Sequence, residues 1–446
     1  MPLMGGPLRA FLGERVISVA WSPDGARLVY HTRDAGDPLF VADGNGANPR
    51  QILVSEPGEH NHFPIWSTDG NWIYFVHGVS GTLALYRISA AGGTPVRLTQ
   101  HDRDVSYPTP IDARTVLYVN RAEDGSGPWL WSLDVEHGTT HQLNLGLDRY
   151  VSLSASADGR RLVATLVNWT SSLWSVPILD RVAEEPDAKA FPVSTASAQT
   201  PRFGGATLFY VSSRGTGDTL WRWEEGHEPV DVWKGPEGAL ADPPAVSPDG
   251  RQAVVVVTTQ GKRHLDLISI DAAQEQTLAE GIDVRGASSW SPDAKWIVTS
   301  GLDAQGPGLF KIPVDGSPPI RLTTGQAVGP IWAPDGSMII YSRQRSGFDT
   351  QLLAVRPDGH AVQLSSAVTA IGGAPIRFLP NGKGLVYMRG PEFWLLDLVT
   401  DETRQLARLS DPAAMQTFDI TRDGKQIVFD RLQFQTDLVL IERPKF

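Results

Sequence analysis

The sequence predicts an all-β protein, a ring of small four-stranded sheets of the β-propeller type. Three observations predict it: a motif of the form Trp-Ser-Pro-Asp-Gly that returns about every 42 to 46 residues, an apolar strand after each copy, and no helical periodicity between copies.

The clearest copies are Trp21-Ser22-Pro23-Asp24-Gly25, Trp66-Ser67-Thr68-Asp69-Gly70, Ser156-Ala157-Asp158-Gly159, Ser247-Pro248-Asp249-Gly250, Trp290-Ser291-Pro292-Asp293, Trp332-Ala333-Pro334-Asp335-Gly336 and Thr421-Arg422-Asp423-Gly424. Weaker copies at Ile111-Asp112-Ala113-Arg114, Phe203-Gly204-Gly205 and Leu379-Pro380-Asn381-Gly382 complete ten units. Each unit opens on a short inner strand such as Ser18-Val19-Ala20-Trp21. Proline then presets φ for the turn and glycine accepts φ > 0. A second strand follows, aligned as Leu28-Val29-Tyr30, Ile73-Tyr74-Phe75 or Leu208-Phe209-Tyr210, and its unbroken apolar character suits a strand covered on both faces. Leu83-Ala84-Leu85-Tyr86-Arg87-Ile88 typifies the third strand and Val96-Arg97-Leu98-Thr99 the fourth.

Blades therefore start near residues 17, 62, 106, 151, 199, 242, 286, 329, 374 and 417, in one domain over residues 1–446. The last unit runs through Phe418-Asp419-Ile420, Gln426-Ile427-Val428-Phe429 and Leu438-Val439-Leu440-Ile441 without a fourth strand. Residues 7–12 resemble a fourth strand, and pairing them with the last blade closes the ring and removes two sheet edges. A single ten-bladed ring leads; two smaller rings, or an irregular ring of eight or nine blades, are the alternatives.

Composition fits this class. The 446 residues include 44 Gly and 33 Pro, as many turns require. A formal charge of −11 with no basic stripe argues against nucleic acid as a partner. The absence of cysteine excludes disulfides and thiolate metal sites. No secretory leader and no apolar run of about 20 residues is seen, so a soluble chain without membrane insertion is expected. Its compartment stays open: cytoplasmic if the chain is complete, periplasmic if it is an excised domain.

The Trp-Ser-Pro-Asp-Gly turns, the Leu-Tyr-Arg-Ile third strand and the hairpin Gly92-Gly93-Thr94-Pro95-Val96-Arg97-Leu98-Thr99 resemble the TolB-type, WD40-like Pro-Asp propeller repeat over about residues 7 to 444. The ending Leu438-Val439-Leu440-Ile441-Glu442-Arg443-Pro444 is similar to C-terminal propeller regions of bacterial serine/threonine kinases and winged-helix regulators. That resemblance implies a sensing or docking module rather than a catalyst, with a protein or peptide as partner.

Candidate contacts lie where the chain enters an inner strand, because in a ring those segments converge on the channel mouth. They are His60, His62, Asp104, Arg149, Asp242, Asp283 and Arg285. His60 and His62, at i and i+2 of a strand, face the same way and could share a metal. The sequence fixes no third ligand, so no metal and no cofactor is assigned. No Gly-x-Ser-x-Gly elbow, phosphate loop or zinc-protease motif occurs, and no catalytic residue is assigned. The sequence is thus read as a non-enzymatic scaffold for a protein, a peptide or a small polar ligand. The alternative is a carbohydrate-active lyase or hydrolase using the channel histidines. Trp21, Trp66, Trp290 and Trp332 recur at one place in the repeat and are read as packing between blades. Trp129, Trp131, Trp174, Trp221 and Trp223, in third strands, are read the same way, with an aromatic binding wall as the alternative.

Overall fold

The computed structural model describes residues 11–13, 15–56, 59–79, 83–101, 105–120, 128–143, 149–195, 197–213, 218–235, 240, 242–259, 262–272, 274–346, 349–410 and 413–442. The protein is all-β. Inner strands form where the repeat places them: Val16–Trp21, His60–Trp66, Ser106–Pro110, Tyr150–Ala155, Gln199–Gly204, Ala245–Val246, Ser289–Trp290, Val328–Trp332, Ile376–Phe378 and Phe418–Ile420. Eight of the ten repeats fold into their own sheet, with consecutive strands paired antiparallel from the inside outward. No helix among the described residues is long and apolar enough to cross a membrane.

The turn motif works as a hydrogen-bonded staple. Ser247 Oγ donates to Asp249 Oδ1 at 2.6 Å and accepts from Gln252 N at 2.9 Å, while Asp249 Oδ1 also accepts from Arg251 N at 3.1 Å. The same serine-to-aspartate bond recurs from Ser22, Ser67, Ser156 and Ser291, and from Thr421 in the last repeat. Gly250 sits at φ +72°, and a Cβ there would lie 2.8 Å from Gly204 O of the neighbouring sheet, so both conformation and space require glycine. Ser247 is fully buried. Ser247→Ala strands the Gln252 amide and is expected to cost about 1–3 kcal/mol, read as a lower urea midpoint with an unchanged slope.

The fourth and tenth repeats behave differently. Their second strands, Arg161–Pro177 and Gln426–Glu442, run 17 residues each without a break. Neither contains a glycine or an internal proline. The chain therefore runs straight through where other repeats fold back as a hairpin. The two long strands lie side by side in one sheet, in the order Tyr150–Ala155, Arg161–Pro177, Gln426–Glu442, Phe418–Ile420. Each supplies strands that the other's repeat lacks.

The chain divides into two compact units: residues 1–168 with 435–446 (unit 1), and residues 169–434 (unit 2). The boundary falls inside each long strand. The long strand of the last repeat pairs with Arg161–Pro177. Residues 7–10 lie outside the described residues, and Phe11 stacks on Trp21 of the first sheet at 6.0 Å.

Within unit 2 the apolar seams run full circle. Phe209 packs with Val255, Leu267 with Trp290 and Ile297, and Leu309 with Trp332 and Ile339. Ile340 packs with Ile376 and Leu385, Val386 and Phe393 with Phe418 and Phe429, and Val428 with Leu208 and Tyr210. The sixth seam returns to the sheet that began the first. Each fully buried side chain of this kind contributes about 1.5–3 kcal/mol, so closure removes the unpartnered face that an isolated sheet would leave.

Within unit 1 three seams join four sheets in chain order. Val29 and Leu39 pack with Trp66 and Phe75, Val76 and Leu85 with Val116 and Tyr118, and Leu117 and Leu130 with Leu153 and Leu162. The tryptophans follow these seams. Trp66 and Trp290 are buried, and each donates its indole N–H to the preceding inner strand, at Ala20 O (3.2 Å) and Ala245 O (3.0 Å). Trp21, in the first sheet, is half exposed and bonds Gly44 O of its own sheet. Trp131 packs on His101 and Tyr118, Trp223 on Phe191 and Trp174 under Arg431, so each fills its own gap.

Candidate functional site

Inner strands of all six sheets of unit 2 enclose a cavity of about 510 Å³. Pro248, Pro292, Pro334 and Pro380, from successive turns, line it, so the cavity occupies the turn end of the channel. Its charged lining is Arg202, Arg377, Arg422 and Asp419: three cations against one anion, in a chain whose formal charge is −11.

A bulge between Gln199 and Arg202, with Thr200 at φ 53°, bends the inner strand and re-aims Arg202. Arg202 is 9% exposed. Its Nη1 donates to Pro201 O at 2.6 Å and Phe418 O at 3.4 Å, both neutral acceptors. Asp419 is the nearby carboxylate, and it is already engaged. It accepts from Phe203 N at 2.8 Å and Ile420 N at 2.9 Å, and meets Arg377 Nε at 3.7 Å. Burial, and then the neighbouring Arg377 charge, push the Arg202 guanidinium down to about 9. Burial lowers Arg377 as well, with Asp419 opposing. Both shifts have one first cause, burial of the guanidinium away from water, which the nearby carboxylates only partly offset.

Asp242, Asp283 and Arg285 also belong to unit 2, and Arg263 ties them together. Arg263 Nη1 meets Asp242 Oδ2 at 3.5 Å, Arg263 N donates to Asp283 Oδ1 at 3.1 Å, and Arg285 pairs with Asp283. Burial raises the Asp242 carboxyl, and Arg263 partly offsets this. The cluster joins two neighbouring sheets but contributes no residue to the cavity lining.

His60, His62 and Arg149 belong to unit 1, so the seven predicted residues do not gather in one unit. Arg149 is half-buried, its carbonyl accepting from Val167 N at 3.0 Å. Asp104 lies outside the described residues. His60 and His62 do face the same way, with rings stacked 5.8 Å apart at 9°. Between them Asn61 points to the other face and is fully buried. Its amide donates to Gly36 O at 2.9 Å, Asp37 O at 3.1 Å and Ser55 Oγ at 2.6 Å, and its own oxygen meets His77 Nδ1 at 2.9 Å. That clamp presents the Asp37 carboxylate to both histidines: Oδ2 lies 2.8 Å from His60 Nδ1 and 3.9 Å from His62 Nε2.

Sequence reasoning missed Arg202, Arg377, Asp419, Asp37 and Asn61. A signal existed for the first three: they carry charge at an inner-strand position occupied by Ile65, Ser289 and Ile331 in other repeats.

A profile described as the TolB β-propeller domain (PD40) matches residues 226–433. The chain is similar in structure to a putative TolB from Agrobacterium tumefaciens, at 19% identity and TM-score 0.44, over 60% of this chain and 99% of that one. It is also similar to TolB from Acinetobacter baumannii, at 11% identity and TM-score 0.29, over 95% of this chain and 81% of that one. A chain of a nidogen/laminin complex matches at 14% identity and TM-score 0.41, over 60% of this chain and 98% of that one. Fold and profile together define an all-β, multi-sheet protein with TolB-like propeller repeats over residues 226–433.

Proposed function

We propose that this protein is a non-enzymatic binding scaffold whose unit 2 channel holds a small polar ligand or a peptide segment by an anionic group. The observation carrying this reading is Arg202, buried at the cavity wall near Arg377, its Nη1 bonded to the carbonyls of Pro201 and Phe418 while Asp419 is engaged by Arg377. A buried cation without its own counter-ion is costly, and an incoming carboxylate relieves that cost while gaining a charge-assisted, two-pronged hydrogen bond. The cavity is large enough for one or two amino-acid residues. Asp242, Asp283 and Arg285, held by Arg263, would contact the remainder of a protein partner. The TolB-like repeat and the resemblance of the C-terminal segment to regulator propellers support a sensory or docking role in a bacterial signalling protein.

The test is calorimetric titration with short peptides ending in a free carboxylate or an amide. Binding of the free acid should weaken at least tenfold in Arg202→Met/Arg377→Met, consistent with roughly 2–5 kcal/mol for one partner of a buried charge pair. It should change little in a charge reversal of Asp242, Asp283 and Arg285 if the peptide is too short to reach them. Equal affinity of acid and amide, or full affinity in the folded double variant, would count against the channel as the site.

A further inference from the structure

We propose that unit 1 carries a divalent-cation site on Asp37, His60 and His62, of the kind that takes Zn²⁺ or a neighbouring first-row ion. One ligand atom from each of the three lies within 4.8 Å of the other two. A hydrogen bond between His60 and Asp37 explains their 2.8 Å approach but not the third member. His62 Nε2 is directed at the same carboxylate oxygen from 3.9 Å, beyond hydrogen-bond reach. A cation bound at about 2.0–2.2 Å from each donor makes contact with all three after a sub-ångström to ångström contraction.

A second observation points the same way. His31 sets its ring edge-on to His62, with centroids 5.5 Å apart, and is 1% exposed. Its Nδ1 is buried with no hydrogen-bond partner among the described residues. A third imidazole kept dry and incompletely bonded beside two others is unusual for a packing residue, because a buried polar atom without a partner costs about 1–3 kcal/mol. It suits an outer ligand, or the wall of a metal pocket.

The support around the ligands is built as metal sites require. Asn61 fixes the backbone of Gly36 and Asp37 from below, and His77 in turn fixes Asn61. Asp37 is held at φ 46°, a left-handed conformation that the clamp sustains. In a chain without cysteine, two imidazoles and one carboxylate select a borderline ion over calcium or magnesium, and they leave a coordination position for water or a ligand.

The experiment uses the full chain, stripped of affinity tag and dialysed against chelator. Titration with Zn²⁺ followed by calorimetry should give one site per chain, and Co²⁺ should bring up visible absorption bands of a low-symmetry nitrogen and oxygen site. Both should weaken at least tenfold in His60→Ala/His62→Ala. Asp37→Asn, which keeps shape and removes charge, should also lose the Zn²⁺-induced rise in Tm, and it carries the test if the double variant does not fold. No uptake of either ion by the native chain, or equal uptake by a folded variant, overturns the site.

Discussion

Replacing Arg431 with alanine should destabilise unit 2 by about 3 kcal/mol, the lower end of the range for breaking one side of a buried ion pair, because the Glu185 side chain left behind is 30% exposed. Arg431 is 2% exposed, and its guanidinium lies 4.2 Å over the Trp174 ring and 5.4 Å from that of Phe429. Its Nη2 meets Glu185 Oε1 at 2.9 Å and Oε2 at 3.0 Å. Glu185 in turn accepts from Ser410 N at 3.1 Å. Just before it, Ala183–Glu184 adds a parallel strand to Thr403–Arg408, and Arg404 Nη1 donates to Leu179 O at 2.7 Å. One side chain thus joins the last strand of the ring to the excursion that laces it to the preceding sheet. Alanine removes the cation, leaves Glu185 half-paired and opens space under Trp174. Arg431→Met keeps most of the volume, so it should recover the packing share of the loss but not the ionic share. Hydrogen exchange over residues 169–434 should report the opening, with the largest change around residues 174–188 and 403–410. Unaltered protection there in Arg431→Ala would mean that the seams alone close the ring.

Ten inner strands were legible because seven clear copies of one turn, with three weaker copies in register, mark where each inner strand ends. The strand partners were not legible in the same way. Residues 426–429 and 438–441 read as two separate strands, with Asp430 and Arg431 between them. Both are in fact buried, Asp430 accepting from Gln416 N, Thr417 N and Thr417 Oγ1. A usable clue was the missing glycine and internal proline in Arg161–Pro177 and Gln426–Glu442, which denies each repeat its hairpin. Trp21 shows the limit of reading by analogy: it holds the motif position of Trp66 and Trp290, but it is half exposed and bonds Gly44 O of its own sheet.

The sites were legible in part. Alternation along a strand was enough to place His60 and His62 on one face. Asp37, 23 residues before His60, arrives through a loop whose course depends on Asn61, and no local pattern announces it. For the channel, attention to the loops ahead of each inner strand found the Asp242, Asp283 and Arg285 cluster. The cavity wall is instead the middle of those strands, where Arg202, Arg377 and Asp419 interrupt an apolar or small-residue position.

Acidification should unfold the protein in less denaturant, with the steep loss below about pH 4. The turn aspartates Asp24, Asp69, Asp158, Asp249, Asp293 and Asp423 all lie below their usual value of 3.8, first because a serine or threonine hydroxyl donates to each. Asp335 is lowered likewise by Ser337, and Arg181 holds Asp187 down to about 2. A carboxylate depressed in the folded chain adds stability above its unfolded value and loses it as pH falls through the folded value. Two groups act in the opposite sense. Burial raises Asp242 and Glu275, so protonation relieves a cost, and stability gains slightly as pH falls through their raised values, before the turns titrate. Burial also lowers His31 and His77, so stability is lost as pH falls through their ordinary value of 6.5, and the expected profile of urea midpoint against pH is a shallow decline below neutrality, then a steep fall from about pH 4 downward. Asp249→Asn should be weaker at neutral pH and less acid-sensitive, because the hydroxyl staple at that turn no longer depends on a charge. A midpoint that holds constant to pH 3 would show that the turn carboxylates are solvated equally in both states. The repeated motif would then owe its stability to proline and glycine geometry alone.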